Sequence, residues 1–263
     1  MLEPMRYAEA GRELEEGLLL EPWHALVSAE RQRRYHDAAE VPRGLFGDTV
    51  DVSILANDAI LAMRYLKKTS MDGLHAGQRM QQRSPVRIGE PLMVRGRVRE
   101  VRDTAKGRFQ HTEFAFEDEK GVAKVTGELT YFRVHPQAKV APAAVDSAFD
   151  RDGDSWASVA RIVLTPQRVA DYSHEFPDYK VHFDPAVAAT VGLRAPVAQG
   201  LMSFTWMMRA IAEEGLPERF SLAATFRRPV FWDETVEVLR RDAELAIVGA
   251  DSRSRSRGTF VPG

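Results

Sequence analysis

A chain of 263 residues that is 44% hydrophobic and 28% charged has enough apolar content for one large core or two modest ones. Its formal net charge of −2 offers no electrostatic case for nucleic-acid binding, and the absence of cysteine excludes disulfides, thiolate catalysis and zinc–thiolate sites. No apolar run reaches the roughly 20 residues of a membrane helix, and the acidic start MLEPMRYAEAGRELEEGLLL lacks the basic and apolar regions of a secretory signal, so the expectation is a soluble, cytoplasmic protein with no membrane association.

In chain order, the first strong element is VSILANDAILAMRYLKK (52–68), apolar on several faces and therefore a buried helix. Strands follow. PLMVRGRVREVRD (91–103) alternates, with Arg95, Arg97 and Arg99 on its solvated face. FQHTEFAFEDE (109–119) puts Phe114 and Phe116 on one face, and KVTGELTYFRV (124–134) follows a turn at Glu119-Lys120-Gly121. From His135 to Ser158 the composition shifts to Ala, Pro and Asp without a period, which reads as a linker. Beyond it comes a second all-round apolar helix, GLMSFTWMMRAIAEE (200–214), with Met202, Phe204, Trp206, Met207 and Met208 as core residues. FSLAATFRRPVFW (220–232), ETVEVLRR (234–241) and AELAIVG (243–249) read as strands, and DSRSRSRG (251–258) as an exposed turn or loose segment.

The two halves look alike. VSAERQRRYHDAAEV, from Val27, and LTPQRVADYSHEFPD, from Leu164, place Tyr35 and Tyr172 in a similar frame. RSPVRIGEPLMVRGRVREV and RRPVFWDETVEVLRR do the same with Pro85 and Pro229. One buried helix followed by long antiparallel strands, twice, is an α+β arrangement in which each helix is wrapped by its own sheet. The expected units are 1–136 and 159–263, joined by a linker at 137–158.

The segment Tyr172–Met202, YSHEFPDYKVHFDPAVAATVGLRAPVAQGLM, carries most of the chemistry. It resembles the MaoC-like hot-dog family of R-specific enoyl-CoA hydratases and 3-hydroxyacyl thioester dehydratases. Tyr172, Asp178, His182, Asp184 and Pro185 fall in the order of that family's motif. One residue is missing after Asp178, Lys180 stands in place of an Asn-Pro pair, and Gln199 stands where a His is usual before Gly200. The resemblance implies a double hot-dog fold whose second unit is the catalytic one, a thioester substrate carried on CoA or acyl carrier protein, and no cofactor. It also implies a homodimer, or a hetero-oligomer with another hot-dog protein.

Dehydration of a 3-hydroxyacyl thioester needs a proton acceptor, a proton donor and a group that holds charge on the thioester oxygen. A histidine suits the proton transfer and an aspartate can hold the water. Asp178 and His182 are therefore the expected catalytic pair. The Gly200 N–H, free at a helix start, is the expected oxyanion donor. Tyr172, Val197, Ala198, Gln199 and Leu201 are expected around the substrate, and Arg227 and Arg228 near a CoA phosphate.

Other readings stand beside this one. A shortened motif also fits a non-catalytic thioester-binding or scaffold subunit, and the same fold hosts thioesterases. His174, Asp178 and His182 share the i, i+4, i+8 spacing of metal ligands on a helix, but Pro177 interrupts it, so no metal site is expected. Asp184-Pro185 reads as an N-cap followed by a first-turn proline.

Overall fold

The computed structural model of the protein describes residues 7–8, 14–63, 73–135, 149 and 155–263. The first half runs β1 (Trp23–Leu26), α1 (Ala29–Ala39), α2 (Val52–Ala62), β2 (Leu74–Gln82), β3 (Pro91–Thr104), β4 (Gly107–Glu117) and β5 (Ala123–Val134). The second half opens with β6 (Ala157–Val163), α3 (Pro166–Tyr172), a 3-10 turn (Lys180–His182) and α4 (Pro185–Thr190). It continues with α5 (Gly200–Ala212), β7 (Phe220–Phe226), β8 (Thr235–Arg241), β9 (Glu244–Gly249) and β10 (Ser254–Pro262).

The strands form one ten-stranded sheet in the order β1-β3-β4-β5-β2-β7-β10-β9-β8-β6. This corrects the expectation of a separate sheet for each helix. β2 and β7 pair antiparallel from Gly77↔Thr225 to Gln82↔Phe220, so neither half leaves its inner strand as an open edge. The order is mirrored about that junction, five strands on each side. Tyr35 and Tyr172, matched in the repeat, meet edge-to-face with ring centroids 4.9 Å apart. The duplication read from the sequence is therefore a two-fold relation within the molecule.

The two central helices are enclosed. Every residue of α2 is buried, and Asp51 caps it by accepting the Ser53 N–H at 2.9 Å. Met202, Phe204, Trp206, Met207 and Met208 of α5 are fully buried, as their pattern predicts. Each such side chain contributes roughly 1.5–3 kcal/mol on leaving water. Trp206 also donates its indole N–H to the Ala39 carbonyl at 3.0 Å, which ties α5 to α1. The sheet approaches α5 closely at Gly258 of β10, where a Cβ would lie 2.7 Å from Met207 Sδ. Between the central helices runs a polar seam. The Thr205 hydroxyl lies 2.8 Å from the Tyr172 hydroxyl and 2.9 Å from that of Ser53.

Several expected boundaries move. The helix expected over 52–68 ends at Ala62 with Met63 as C-cap, and residues 64–72 lie outside the described residues. The strand expected over 220–232 stops at Phe226, ahead of Pro229, which has no N–H for a ladder. DSRSRSRG is not a loose segment, because β10 begins at Ser254 and lies between β7 and β9. Arg255 is tolerated there because Glu234 and Asp251 pair with it at 2.7 and 3.0 Å. Arg95 and Arg99 are surface residues paired with Glu117, Glu113 and Glu128, as a solvated strand face requires. Of the expected linker 137–158, only Phe149 and residues 155–158 are described, and Ala157 already belongs to β6.

Candidate active site

The segment from α3 to α5 is folded by short local devices. Thr165 caps α3 by accepting the Arg168 N–H, and Pro166 occupies the first turn. Asp184 caps α4 through the N–H groups of Ala186 and Val187, with Pro185 following, which is the role its spacing predicts. The chain then returns as an extended strip. Ala198 donates to the Val230 carbonyl at 2.8 Å, and Trp232 donates to that of Pro196 at 3.0 Å. Val197 donates to the Val181 carbonyl at 3.3 Å and accepts, through its own carbonyl, from His182 Nδ1 at 2.7 Å.

That last bond fixes the chemistry of His182. A carbonyl oxygen only accepts, so Nδ1 carries the proton and Nε2 keeps its lone pair. Burial lowers the imidazole pKa to about 4, and the Val197 carbonyl offsets only part of that fall. His182 is thus a neutral imidazole at physiological pH, with Nε2 able to take a proton. Its ring stacks at 6.4 Å on that of Tyr179, whose hydroxyl is pushed up to about 12 by burial and by Asp178. Asp178 itself is exposed at the rim of the same loop.

Three residues beyond Val197 the chain enters α5. Its N-cap, Gln199, makes no side-chain capping bond, and Gln199 Nε2 is buried with no hydrogen-bond partner among the described residues. Met202 donates its N–H to the Gln199 carbonyl at 3.0 Å, which leaves the N–H groups of Gly200 and Leu201 at the positive end of a thirteen-residue helix. Gly200 lies so close to Phe226 that a Cβ would meet the ring at 2.9 Å. His182 is thus hydrogen-bonded to Val197, three residues before the Gly200 start of α5. Ala198 and Leu201 are buried beside them.

The other expected site residues sit elsewhere. Tyr172 has no exposed surface and lies in the seam between the central helices. Arg228 donates to the Ser254 carbonyl at 3.0 Å. Arg227 lines a separate cavity of about 350 Å³ with Trp156, Glu244 and Arg257. No group of three His, Asp or Glu residues able to hold a metal occurs among the described residues.

The first half supplies groups that no sequence motif flags. The ring of His75, on β2, packs 4.8 Å from Phe226 and 5.7 Å from Tyr131. Burial lowers the His75 pKa to about 4, and the Gly77 carbonyl and the Gln78 side chain beside it oppose that fall. Burial raises the Tyr131 hydroxyl, and neighbouring Tyr179 adds to the effect. The rings of Phe226, His75, Tyr131, Tyr179 and His182 thus run as a chain of neighbours from Gly200 to the Val197 strip. The one available signal was in β2, where Gln78, Met80 and Gln82 alternate inward as polar, apolar, polar.

The first half also holds the loop that carries His182. Arg31 of α1 grips Glu175 with Nε and Nη2 at 2.7 and 2.8 Å, and reaches Asp58 of α2 with Nη1 at 2.8 Å. Tyr35 donates its hydroxyl to Glu175 at 2.9 Å. Burial favours the neutral acid at both carboxyls. For Glu175 the Arg31 fork prevails and the pKa falls, whereas deeper Asp58 still rises to about 6.

Residues 151–252 match the model of the MaoC like domain. No curated protein sequence matches the chain. HtdX from Mycobacterium tuberculosis superposes with a TM-score of 0.74 at 14% identity, over 93% of this chain and 99% of that one. A MaoC-like dehydratase from Phytophthora capsici gives 0.70 at 20% identity, over 93% and 95%. A second Mycobacterium tuberculosis protein, described as having a double hot-dog fold, gives 0.65 at 10% identity, over 95% and 96%. The fold is a double hot-dog, and residues 151–252 of its second half match the MaoC like domain.

Proposed function

We propose that the protein catalyses reversible hydration and dehydration of an acyl thioester, interconverting 2-enoyl and 3-hydroxyacyl forms. The observation that carries this reading is His182, held neutral with its Nδ1–H on the Val197 carbonyl, three residues before the uncapped start of α5. In dehydration Nε2 of His182 takes the proton from the carbon next to the thioester. The Gly200 N–H receives the charge that develops on the thioester oxygen. The departing hydroxyl takes the proton now held on His182 Nε2 and leaves as water, and Asp178 in the same loop holds that hydroxyl. Val197, Ala198, Gln199 and Leu201 line the approach to Gly200. Coenzyme A is the proposed carrier.

The test is spectrophotometric hydration of crotonyl-CoA and longer or branched 2-enoyl-CoAs by the wild-type protein and by His182→Ala. Turnover that falls at least a hundredfold in the variant supports the reading. Absence of turnover across the panel, or an unimpaired variant, refutes it. Release of free thiol instead of hydration assigns the site to thioester hydrolysis.

A further inference from the structure

The outer face of the sheet carries a cavity that the thioester reading does not use. In β10, Gly258 faces Met207 of α5, so its neighbours Arg257 and Thr259 point to the opposite side. There they line the cavity of about 350 Å³ with Arg227, Glu244 and Trp156. The sheet therefore stands between this cavity and α5, which begins at Gly200. The charge around the cavity is unbalanced. Arg241, stacked 4.6 Å from the Trp156 ring, pairs with Glu244 at 2.6 Å. Arg227 and Arg257 form no ion pair among the described residues. Arg257 instead lies 4.5 Å over the Phe149 ring, a contact that places the guanidinium without consuming its N–H donors. Burial, then the charge of Arg227 and that of Arg241, lower the Arg257 pKa from its ordinary value, and Glu244 opposes them only in part. Two donors of the lining residues also lack an acceptor: Arg257 Nε, and the indole Nε1 of Trp156, a residue only 8% exposed. A buried donor left unpaired is costly, and so is a cation with no counter-ion.

We propose that this cavity is a second ligand site, separate from the thioester site, and that it takes a phosphate monoester of a small organic molecule. Arg227 and Arg257 supply the counter-charge, and the Trp156 N–H and Thr259 hydroxyl add donors. These groups come from three separate stretches of chain, after β7, before β6 and within β10. The three free oxygens of a monoester can engage more of them than the two of a carboxylate. A volume at the lower end of small-molecule sites leaves room for the group that the phosphate is attached to. The inference goes beyond the hydratase reading and does not rest on it.

The test is calorimetric titration of the full chain at low ionic strength with phenyl phosphate, inorganic phosphate and benzoate. Phenyl phosphate is expected to bind roughly tenfold or more tightly than either of the others. Arg257→Gln and Arg227→Gln, checked for native melting, should each weaken it by about tenfold or more, because each removes a charged donor. Trp156→Phe keeps the ring, removes the N–H and should weaken it about threefold or more. Coenzyme A should not displace it, since the thioester site lies across the sheet. Affinity unchanged in all three variants, benzoate or inorganic phosphate bound as tightly, displacement by coenzyme A, or no binding of phenyl phosphate overturns the proposal.

Discussion

Replacing Arg31 with Leu removes the cation that two buried carboxylates share. The guanidinium is 14% exposed, and its partners Asp58 and Glu175 are 3% and 19% exposed. Three charged contacts of 2.7–2.8 Å vanish, leaving Glu175 the Tyr35 hydroxyl at 2.9 Å and the His174 ring at 3.7 Å, and Asp58 the Trp23 indole N–H at 3.4 Å. Breaking a buried ion pair from one side costs about 3–5 kcal/mol, because the surviving charge keeps its desolvation penalty. For a domain of this size that corresponds to a fall in Tm of roughly 6–20 °C. Urea unfolding at pH 7 followed by circular dichroism measures it. The pH dependence supplies the mechanism. Without Arg31 both carboxyls have folded pKa values above their unfolded ones, so the fold binds protons more tightly and the variant gains stability as pH falls. A loss below about 1 kcal/mol, or a variant that is relatively weaker at low pH, would refute the account of this cluster.

Three further outcomes follow from the same structure. Asp58, raised to about 6, costs stability when it ionises, and that cost grows as pH rises from the ordinary carboxyl value of 3.8. Asp58→Asn should therefore match or exceed the wild type at pH 7 and fall behind it toward pH 4; a difference in unfolding free energy that stays constant across that range contradicts the assignment. His182 loses its proton-accepting form only near its pKa of about 4, so kcat/KM for hydration should hold from pH 7 to about 5 and drop below about 4 on its acid limb. A limb near 6.5 would place the working base elsewhere. Thr205→Val removes the hydroxyl that joins those of Tyr172 and Ser53, and should lower stability by about 1–3 kcal/mol in thermal melts.

Elements whose patterns are decided locally were legible in the sequence. α2 and α5 are apolar on several faces, and strands β3 to β5 alternate over eleven or more residues. Asp184-Pro185 carries its own capping chemistry. What escaped was decided by partners far away in the chain. Ser254–Ser256 looks like loose surface until Glu234 is placed against Arg255, and β2 is too polar to read as a central strand before its ladders to β5 and β7 are known. Within the site, His182 and Gly200 stood out by motif. His75 and Tyr131 come from the other half, more than 40 residues from the segment that bears the motif, and a one-dimensional pattern has no means of bringing them there. Arg31 was hidden for the same reason, since Glu175 lies 144 positions away.

The mirrored strand order has an evolutionary consequence. A homodimer built on one gene copies every substitution into both of its sites, so neither site is free to change alone. Fusing the copies into one polypeptide removes that constraint. One copy can then keep an inherited reaction centre while its twin, relieved of chemistry, is reshaped as the surface that selects what the centre receives.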